Sequence, residues 1–238
     1  ITSLIIDLRD NGGGIIDEAI KLVNNFVDKG TVIVSTKGIV LADPEYLNLL
    51  NQTNGVVQMS MVSSAYDKIE PGAPTFEDRL KALPLIAANS KRLVVRYQPY
   101  IREAFKDALK NLKILKDNGV HTVVVEGLVF TKPRKDMVSV GAKRYAYTFD
   151  VLENDFKYLR DEAHRVGLVF QCGDDNHRHL GDDSCCCGVA DLPGFKTNRF
   201  NALNLARGIE AKPTPAMQVI GTARCFRTRT AENEKRIK

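Results

Sequence analysis

The chain has 238 residues, of which 44% are hydrophobic and 26% charged, and its formal net charge is +5. These values are typical of a soluble globular protein, and the small positive charge permits an anionic partner without requiring one. No apolar run reaches the ~20 residues of a membrane span, and we find no signal-peptide pattern. The five cysteines, three of them adjacent, make a poor disulfide framework, so we expect a reducing, cytoplasmic location.

Strand-like and helix-like segments alternate as far as residue 170. Short β-branched runs predict strands over residues 3–8, 31–35, 56–62, 92–97, 121–130 and 168–170. Helical spacing of apolar residues predicts helices over residues 15–28, 44–50, 75–89, 102–116 and 149–164. This alternation predicts an α/β fold with a parallel sheet of about six β/α units, arranged as a partial, open TIM-like barrel.

A glycine run, Asp-Asn-Gly-Gly-Gly, occupies residues 10–14 before the first predicted helix. Backbone N–H groups there could cradle an anion, although a tight strand-to-helix turn is the simpler interpretation. The sequence of residues 4–38 resembles the tail-specific (C-terminal processing) serine peptidases, with Gly12 where those enzymes usually have proline. The resemblance implies a serine–lysine pair later in the chain. The nearest candidate turn, Ser63-Ser64-Ala65, does not fit that pattern, and so we expect the peptidase chemistry to be absent.

A second resemblance begins at Thr31 and extends to about residue 190. It rests on VIVSTK (32–37), VQMSMV (57–62), EPGAPTFEDRLKAL (70–83), VVRYQPYI (94–101) and FTKP (130–133). In this order the segments resemble the later half of radical S-adenosylmethionine enzymes of the spore-photoproduct-lyase and DNA-repair-photolyase-like group. The resemblance implies a partial barrel that holds S-adenosylmethionine and a [4Fe–4S] cluster.

The same resemblance implies five cofactor-binding residues at the carboxyl ends of neighbouring strands: Ser35, Thr36, Lys37, Ser60 and Arg96. Lys37 would pair with the methionine carboxylate, a charge-assisted contact. Arg96 lies inside an apolar strand, where a charge needs a partner.

The cluster ligands of that group are missing, because residues 1–171 contain no cysteine and therefore no Cys-x3-Cys-x2-Cys motif. We therefore expect an inactive lyase-like protein, and a chimera of three parts. Residues 1–38 are a peptidase-like segment, residues 31–205 a radical-S-adenosylmethionine-like partial barrel, and residues 206–238 a basic tail. Because the chain begins within a strand-like run, we expect it to be a fragment.

Cysteine and histidine cluster after the last predicted strand, at Cys172, His177, His179, Cys185, Cys186 and Cys187. Such residues could bind zinc or an auxiliary iron–sulfur cluster. The spacing includes no Cys-x2-Cys pair, so an irregular loop with buried cysteines is the competing interpretation.

A basic stretch with aromatic residues precedes this region and includes Lys132, Arg134, Lys135, Lys143, Arg144, Tyr145 and Tyr147. It could contact a nucleic-acid backbone, although a solvated loop explains the same residues. Two further functions stay open beside the lyase-like one. The chain could be a fragment of a tail-specific serine peptidase, or a non-catalytic metal-binding α/β module.

Overall fold

A parallel β-sheet forms the centre of the structure, a computed structural model that describes residues 6–7, 31–174, 176–183 and 185–193. The strands are β1 (Ile6–Asp7), β2 (Thr31–Thr36), β3 (Asn54–Ser60), β4 (Arg92–Tyr100), β5 (Thr122–Gly127), β6 (Met137–Ser139), β7 (Tyr145–Tyr147) and β8 (Val169–Cys172). Five of them form the body of the sheet in the order β2-β3-β4-β5-β8, all parallel, and the two-residue β1 pairs with the edge of β2.

The predicted α/β class and parallel sheet are therefore confirmed. The predicted count of about six β/α units is wrong, since the body of the sheet has five strands. The described strands form an open sheet, as the prediction of an unclosed arrangement requires. The difference arises at the start of the chain, where the predicted helix 15–28 and most of its preceding strand lie outside the described residues.

In the described residues, four α-helices follow the strands: α1 (Pro44–Gln52), α2 (Phe76–Asn89), α3 (Phe105–Asp117) and α4 (Phe149–Arg165). Each agrees with a predicted helix to within a few residues at each end. The predicted cap of α2 is present, since the Thr75 hydroxyl oxygen accepts a hydrogen bond from the Asp78 N–H at 3.1 Å. No helix in the described part of the chain is long and apolar enough to cross a membrane.

The two faces of the sheet carry different side chains, because successive residues of a strand point to opposite sides. One face packs on the helices and forms the main core, with Met59, Val95, Tyr97, Val125 and Phe170 among its buried members. The opposite face, which we call the inner face, has a smaller apolar cluster built on Val56, Val94 and Val124.

Residues 185–193, the inner-face loop, cover that smaller cluster with Cys185 and Val189. Two nitrogens of Arg92 donate to the Asp191 carboxylate at 2.6 and 2.7 Å, and Arg92 also donates to the Gly188 carbonyl at 2.7 Å. Gly188 has φ +68°, and a Cβ there would lie 2.9 Å from the Thr122 side chain. The loop is thus held against the sheet at a position that only glycine occupies without strain.

A short antiparallel hairpin, β6–β7, occupies part of the region predicted as a basic loop. Met137 pairs with Tyr147 and Ser139 with Tyr145. Gly141, Ala142 and Lys143 all have positive φ in the connecting turn. Three-residue strands give too short an alternation for detection in the sequence, so the prediction of loop throughout residues 131–144 is wrong at this point.

Candidate functional site

Polar side chains gather on the inner face above its apolar cluster, towards the carboxyl ends of the strands. We call this group the inner-face polar cluster: Ser35 on β2, Gln58 on β3, Arg96 and Gln98 on β4, and Glu126 on β5. In open α/β sheets, ligands bind outside the carboxyl ends of the strands. The cluster is therefore the first place to look for a binding site.

The members of this cluster are joined by hydrogen bonds. The Ser35 hydroxyl donates to Gln58 Oε1 at 2.7 Å. Arg96 Nη2 donates to Glu126 Oε2 at 2.7 Å, and Arg96 Nε donates to Gln98 Oε1 at 2.9 Å. Gln58 Nε2 donates to the Cys187 carbonyl at 2.9 Å, which connects the cluster to the inner-face loop.

Burial makes these bonds necessary. Gln58 is 2% exposed and Arg96 is 9% exposed, so both have lost most of their hydration. A buried guanidinium without a partner would cost several kcal/mol, and Glu126 supplies the opposite charge. The serine hydroxyl, two amides and an ion pair together offer donors and acceptors along one edge of the sheet.

Lys37 and Arg79 form a second charged group, centred on Glu70. Lys37 Nζ donates to Glu70 Oε1 at 2.6 Å, and Arg79 Nη2 donates to Glu70 Oε2 at 3.2 Å. Arg79, only 3% exposed, also donates to the Ser60 carbonyl at 2.6 Å and to the Pro74 carbonyl at 2.9 Å. Arg79 therefore fastens α2 to the end of β3.

The five residues predicted to bind a cofactor are not brought together. Ser35 and Arg96 meet in the inner-face polar cluster through Gln58. Lys37 turns to Glu70, and Thr36 accepts a hydrogen bond from the Gly38 N–H at 2.9 Å. Ser60 contributes its backbone carbonyl to Arg79.

A small open pocket lies beside the second charged group. It has about 220 Å³ of empty space and is lined by Ser60, Met61, Val62, Ser63, Tyr66, Glu70, Phe76, Arg79 and Gln98. This space includes open solvent, so the pocket encloses no cavity of ligand size. We therefore assign no small-molecule site to it.

The predicted metal ligands do not converge on one site. Cys172 belongs to the main core, where burial raises the pKa of its thiol, whereas Cys185 lies on the inner face. His177 is buried between Asp174 Oδ1 at 3.1 Å and the Phe149 carbonyl at 3.0 Å. Within the part of the chain that the structure describes, no group of three or more His, Cys, Asp or Glu side chains could hold a metal ion.

Two residues of the basic stretch make contacts within the protein. Arg134 donates to Glu103 at 2.9 Å and lies 5.0 Å from the centre of the Phe130 ring. The Tyr147 hydroxyl donates to the same Glu103 at 3.1 Å. Exposed side chains remain at Lys132, Lys135, Lys143 and Arg144. Contact with nucleic acid stays a prediction.

Sequence reasoning missed Gln58, Gln98 and Glu126 as members of the polar cluster, and Asp191 as the partner of Arg92. A signal for the first three was present, because Gln58 and Ser60, like Arg96 and Gln98, are alternate residues near strand ends and so share a face. No such signal points to Asp191, which lies 99 residues from Arg92 in sequence.

Comparison with known proteins gives one consistent result. The family model described as Peptidase family S41 matches residues 1–85. A probable CtpA-like serine protease of Staphylococcus epidermidis is 49% identical over 53 residues, which is 22% of this chain and 10% of that protein. The corresponding protein of Staphylococcus aureus is 47% identical over 34 residues, 14% of this chain and 7% of that protein. The chain thus spans a tenth or less of these relatives.

These matches overturn the main interpretation of the sequence. The matched range, residues 1–85, includes three of the segments that we assigned to a radical S-adenosylmethionine enzyme. The comparisons point to a peptidase and not to a radical S-adenosylmethionine lyase. The lyase, iron–sulfur and DNA-repair interpretation is therefore wrong, and its implied cofactors are left without support.

Proposed function

We propose that this chain is a fragment related to serine peptidases of family S41, and that it binds polypeptide at the inner-face polar cluster. The observation that carries the proposal is the match of residues 1–85 to that family. Strands β2 and β3, which bring Ser35 and Gln58 to the cluster, lie inside the matched range. The relatives are named serine proteases, a class that acts on polypeptides.

The chemistry of the cluster suits a peptide ligand. Peptide groups present both N–H donors and carbonyl acceptors, and the cluster offers a hydroxyl, the partly exposed Gln98 amide, a guanidinium and a carboxylate. A polypeptide lying across the carboxyl edge of β2, β3 and β4 would exchange hydrogen bonds with Ser35, Gln98 and Arg96.

Binding without hydrolysis is the form of this function that the contacts favour. In a serine–lysine mechanism the amine takes the proton of the serine hydroxyl. Here the Lys37 ammonium donates to Glu70, and the Ser35 hydroxyl donates to Gln58, an amide that is not a base. Ser63, in the turn considered above, donates to Asp107 at 2.8 Å.

Hydrolysis is the second candidate, and the names of the relatives favour it. A fluorophosphonate probe distinguishes the two, because it reacts only with an activated serine. We expect no labelling of the chain and no cleavage of casein. Labelling that disappears in Ser35→Ala would favour the hydrolytic candidate instead.

The binding proposal is tested by fluorescence anisotropy with labelled, unfolded casein as the probe. We expect saturable binding that Ser35→Ala weakens by about threefold to tenfold, the effect of about one hydrogen bond. Lys113→Gln serves as the matched control, since Lys113 pairs with Asp117 on the exposed side of α3. No saturable binding, or equal weakening in the control, would overturn the proposal.

A further inference from the structure

Two neighbouring thiols, Cys186 and Cys187, lie at the rim of the inner-face polar cluster. Their sulfur atoms are 3.9 Å apart, and both residues are partly exposed. Cys185 differs, because it is buried with Val56, Val94 and Val124. Cys172 lies on the opposite face of the sheet in the main core. Among the four cysteines that the structure describes, Cys186 and Cys187 are partly exposed and lie within reach of each other, whereas Cys172 and Cys185 are buried.

The surroundings of Cys186 favour its thiolate. The hydrogen bond between the Cys186 and Cys187 thiols lowers the pKa of Cys186, and so do the guanidinium groups of Arg178 and Arg96, against the opposing effect of burial. The contacts of Cys187 with Cys185 and Cys186, together with burial, raise the pKa of Cys187. The pKa of Cys185 is also lowered, by a hydrogen bond with Cys187 and by backbone hydrogen bonds, against the opposing effect of burial. Cys186 is therefore the thiolate that its charged neighbours sustain, and the thiolate is the nucleophilic form of cysteine.

We propose that Cys186 and Cys187 are a reversible dithiol–disulfide site, in which Cys186 attacks a low-molecular-weight disulfide and Cys187 resolves the product. In the first step the Cys186 thiolate bonds to one sulfur of the oxidant and expels the other as a thiolate. In the second step Cys187 loses its proton, bonds to Cys186 and expels the remaining thiolate. The oxidant is reduced to two thiols and the two cysteines lose two hydrogen atoms.

Covalent geometry makes such a bond easy to reverse. Consecutive Cα atoms are ~3.8 Å apart across a trans peptide, whereas disulfides usually join Cα atoms ~4.4–6.8 Å apart. A disulfide between adjacent residues is therefore strained and readily reduced.

Oxidation of Cys186 and Cys187 would also affect a hydrogen bond between the loop and the sheet. The Cys187 carbonyl accepts the hydrogen bond from Gln58, and Gln58 in turn accepts from Ser35. Ring closure at residues 186–187 turns this backbone segment, and so we expect it to disturb the Gln58 contact. This site does not depend on the proposed peptide-binding function, because its test measures thiol chemistry alone.

The test uses the whole reduced chain and glutathione disulfide as the probe. After timed exposure, free thiols are blocked with N-ethylmaleimide and the protein is digested with trypsin. Cleavage after Arg178 and Lys196 yields a peptide that contains Cys185, Cys186 and Cys187 and no other cysteine. We expect this peptide to lose two hydrogen atoms and to recover them in dithiothreitol. Glutathione disulfide should leave Cys172 unmodified over the same period.

Single variants assign the roles. The reaction of Cys187→Ala should stop at a mixed disulfide of Cys186 with glutathione. Cys186→Ala should react more slowly than the unchanged protein, by a factor of about ten or more. Cys185→Ala is the matched control and should still form the internal disulfide. Circular dichroism of each variant checks that it is folded. A bond that requires Cys185, or loop cysteines that react no faster than Cys172, would overturn the proposal.

Discussion

Asp191→Asn tests the fastening of the inner-face loop to the sheet. The Asp191 carboxylate accepts two hydrogen bonds from Arg92, which is itself almost completely buried. The amide of asparagine has no charge and offers one acceptor oxygen, so Arg92 would keep one of these bonds and the Gly188 carbonyl. We expect the variant to be less stable and its inner-face loop to open more often.

The magnitude follows from the pKa of Asp191, which the hydrogen bonds from Arg92 lower from 3.8 to about 2. At about 1.4 kcal/mol for each pH unit, this lowering corresponds to ~2.5 kcal/mol of folding free energy. The Asp191 side chain is 65% exposed, however, and solvent screens an exposed partner. We therefore expect a loss of ~1 kcal/mol, towards the upper end of values for exposed pairs, because Arg92 is buried.

The pH dependence gives the sign. Since the pKa of Asp191 is lower in the folded protein, its stabilisation is complete above about pH 4 and is lost as the pH falls towards 2. Urea unfolding of the two proteins should differ by ~1 kcal/mol at pH 7 and converge near pH 2. Hydrogen exchange should accelerate in the part of the inner-face loop around Asp191. A difference below ~0.3 kcal/mol at pH 7, or one that does not change with pH, would refute the reasoning.

Other predictions concern a buried arginine and two tight turns. Arg79→Lys should lower the free energy of unfolding in urea by ~2–4 kcal/mol, because a lysine ammonium cannot replace three directional hydrogen bonds of a buried guanidinium. Lys81→Arg, at an exposed position, is the control. An equally small effect of the two substitutions would contradict this prediction. Gly119→Ala should cost more in thermal unfolding than Gly72→Ala, by ~1 kcal/mol or more. Both glycines have positive φ, but a Cβ at Gly119 would lie 2.7 Å from Ala87 whereas one at Gly72 meets nothing within 4 Å, so equal costs would show that the clash does not matter.

The regular elements could be predicted because their signals are local. The apolar run 92–97 lies within β4, and the helical spacing of residues 149–164 agrees with α4. The alternation of strands and helices was enough for the parallel sheet. The β6–β7 hairpin was missed because its strands have three residues each, and because the positive φ of Gly141 continues into Ala142 and Lys143, residue types that give no turn signal.

The segment 70–83 shows why a sequence resemblance misled. Its distinctive residues have local structural roles, since Glu70 pairs with Arg79 and Thr75 caps α2. The Phe76 N–H donates to Asp67 at 2.9 Å, just before the helix. The loop must begin a helix at Thr75 and let Arg79 of that helix bond to the end of β3. These structural needs restrict the residue types in the segment, whatever chemistry the site performs. Such a motif says more about how the chain folds than about what it binds.

The candidate site depended on contacts that sequence patterns do not record. Arg96 was identified as a charge in need of a partner, and Glu126 supplies that partner from the next strand. Predicting it required the register of β4 against β5, which pairs Arg96 with Val124 and so brings residue 126 to the same end of the sheet. Local periodicity fixes which face a residue occupies, but not which residue lies opposite it.

The inner-face loop links the tests of stability and of thiol chemistry. Arg92 and Asp191 hold one part of it, and the bond from Gln58 to the Cys187 carbonyl holds another. If Asp191→Asn releases only the part of the loop around Asp191, the surroundings of Cys186 persist and its reaction with glutathione disulfide keeps its rate. If the loop moves as one body, Cys186 leaves Arg96 and Arg178, its pKa rises, and the reaction slows at neutral pH. Because Gln58 is buried and bonded to both Ser35 and Cys187, we expect the part of the loop around Cys187 to stay in place.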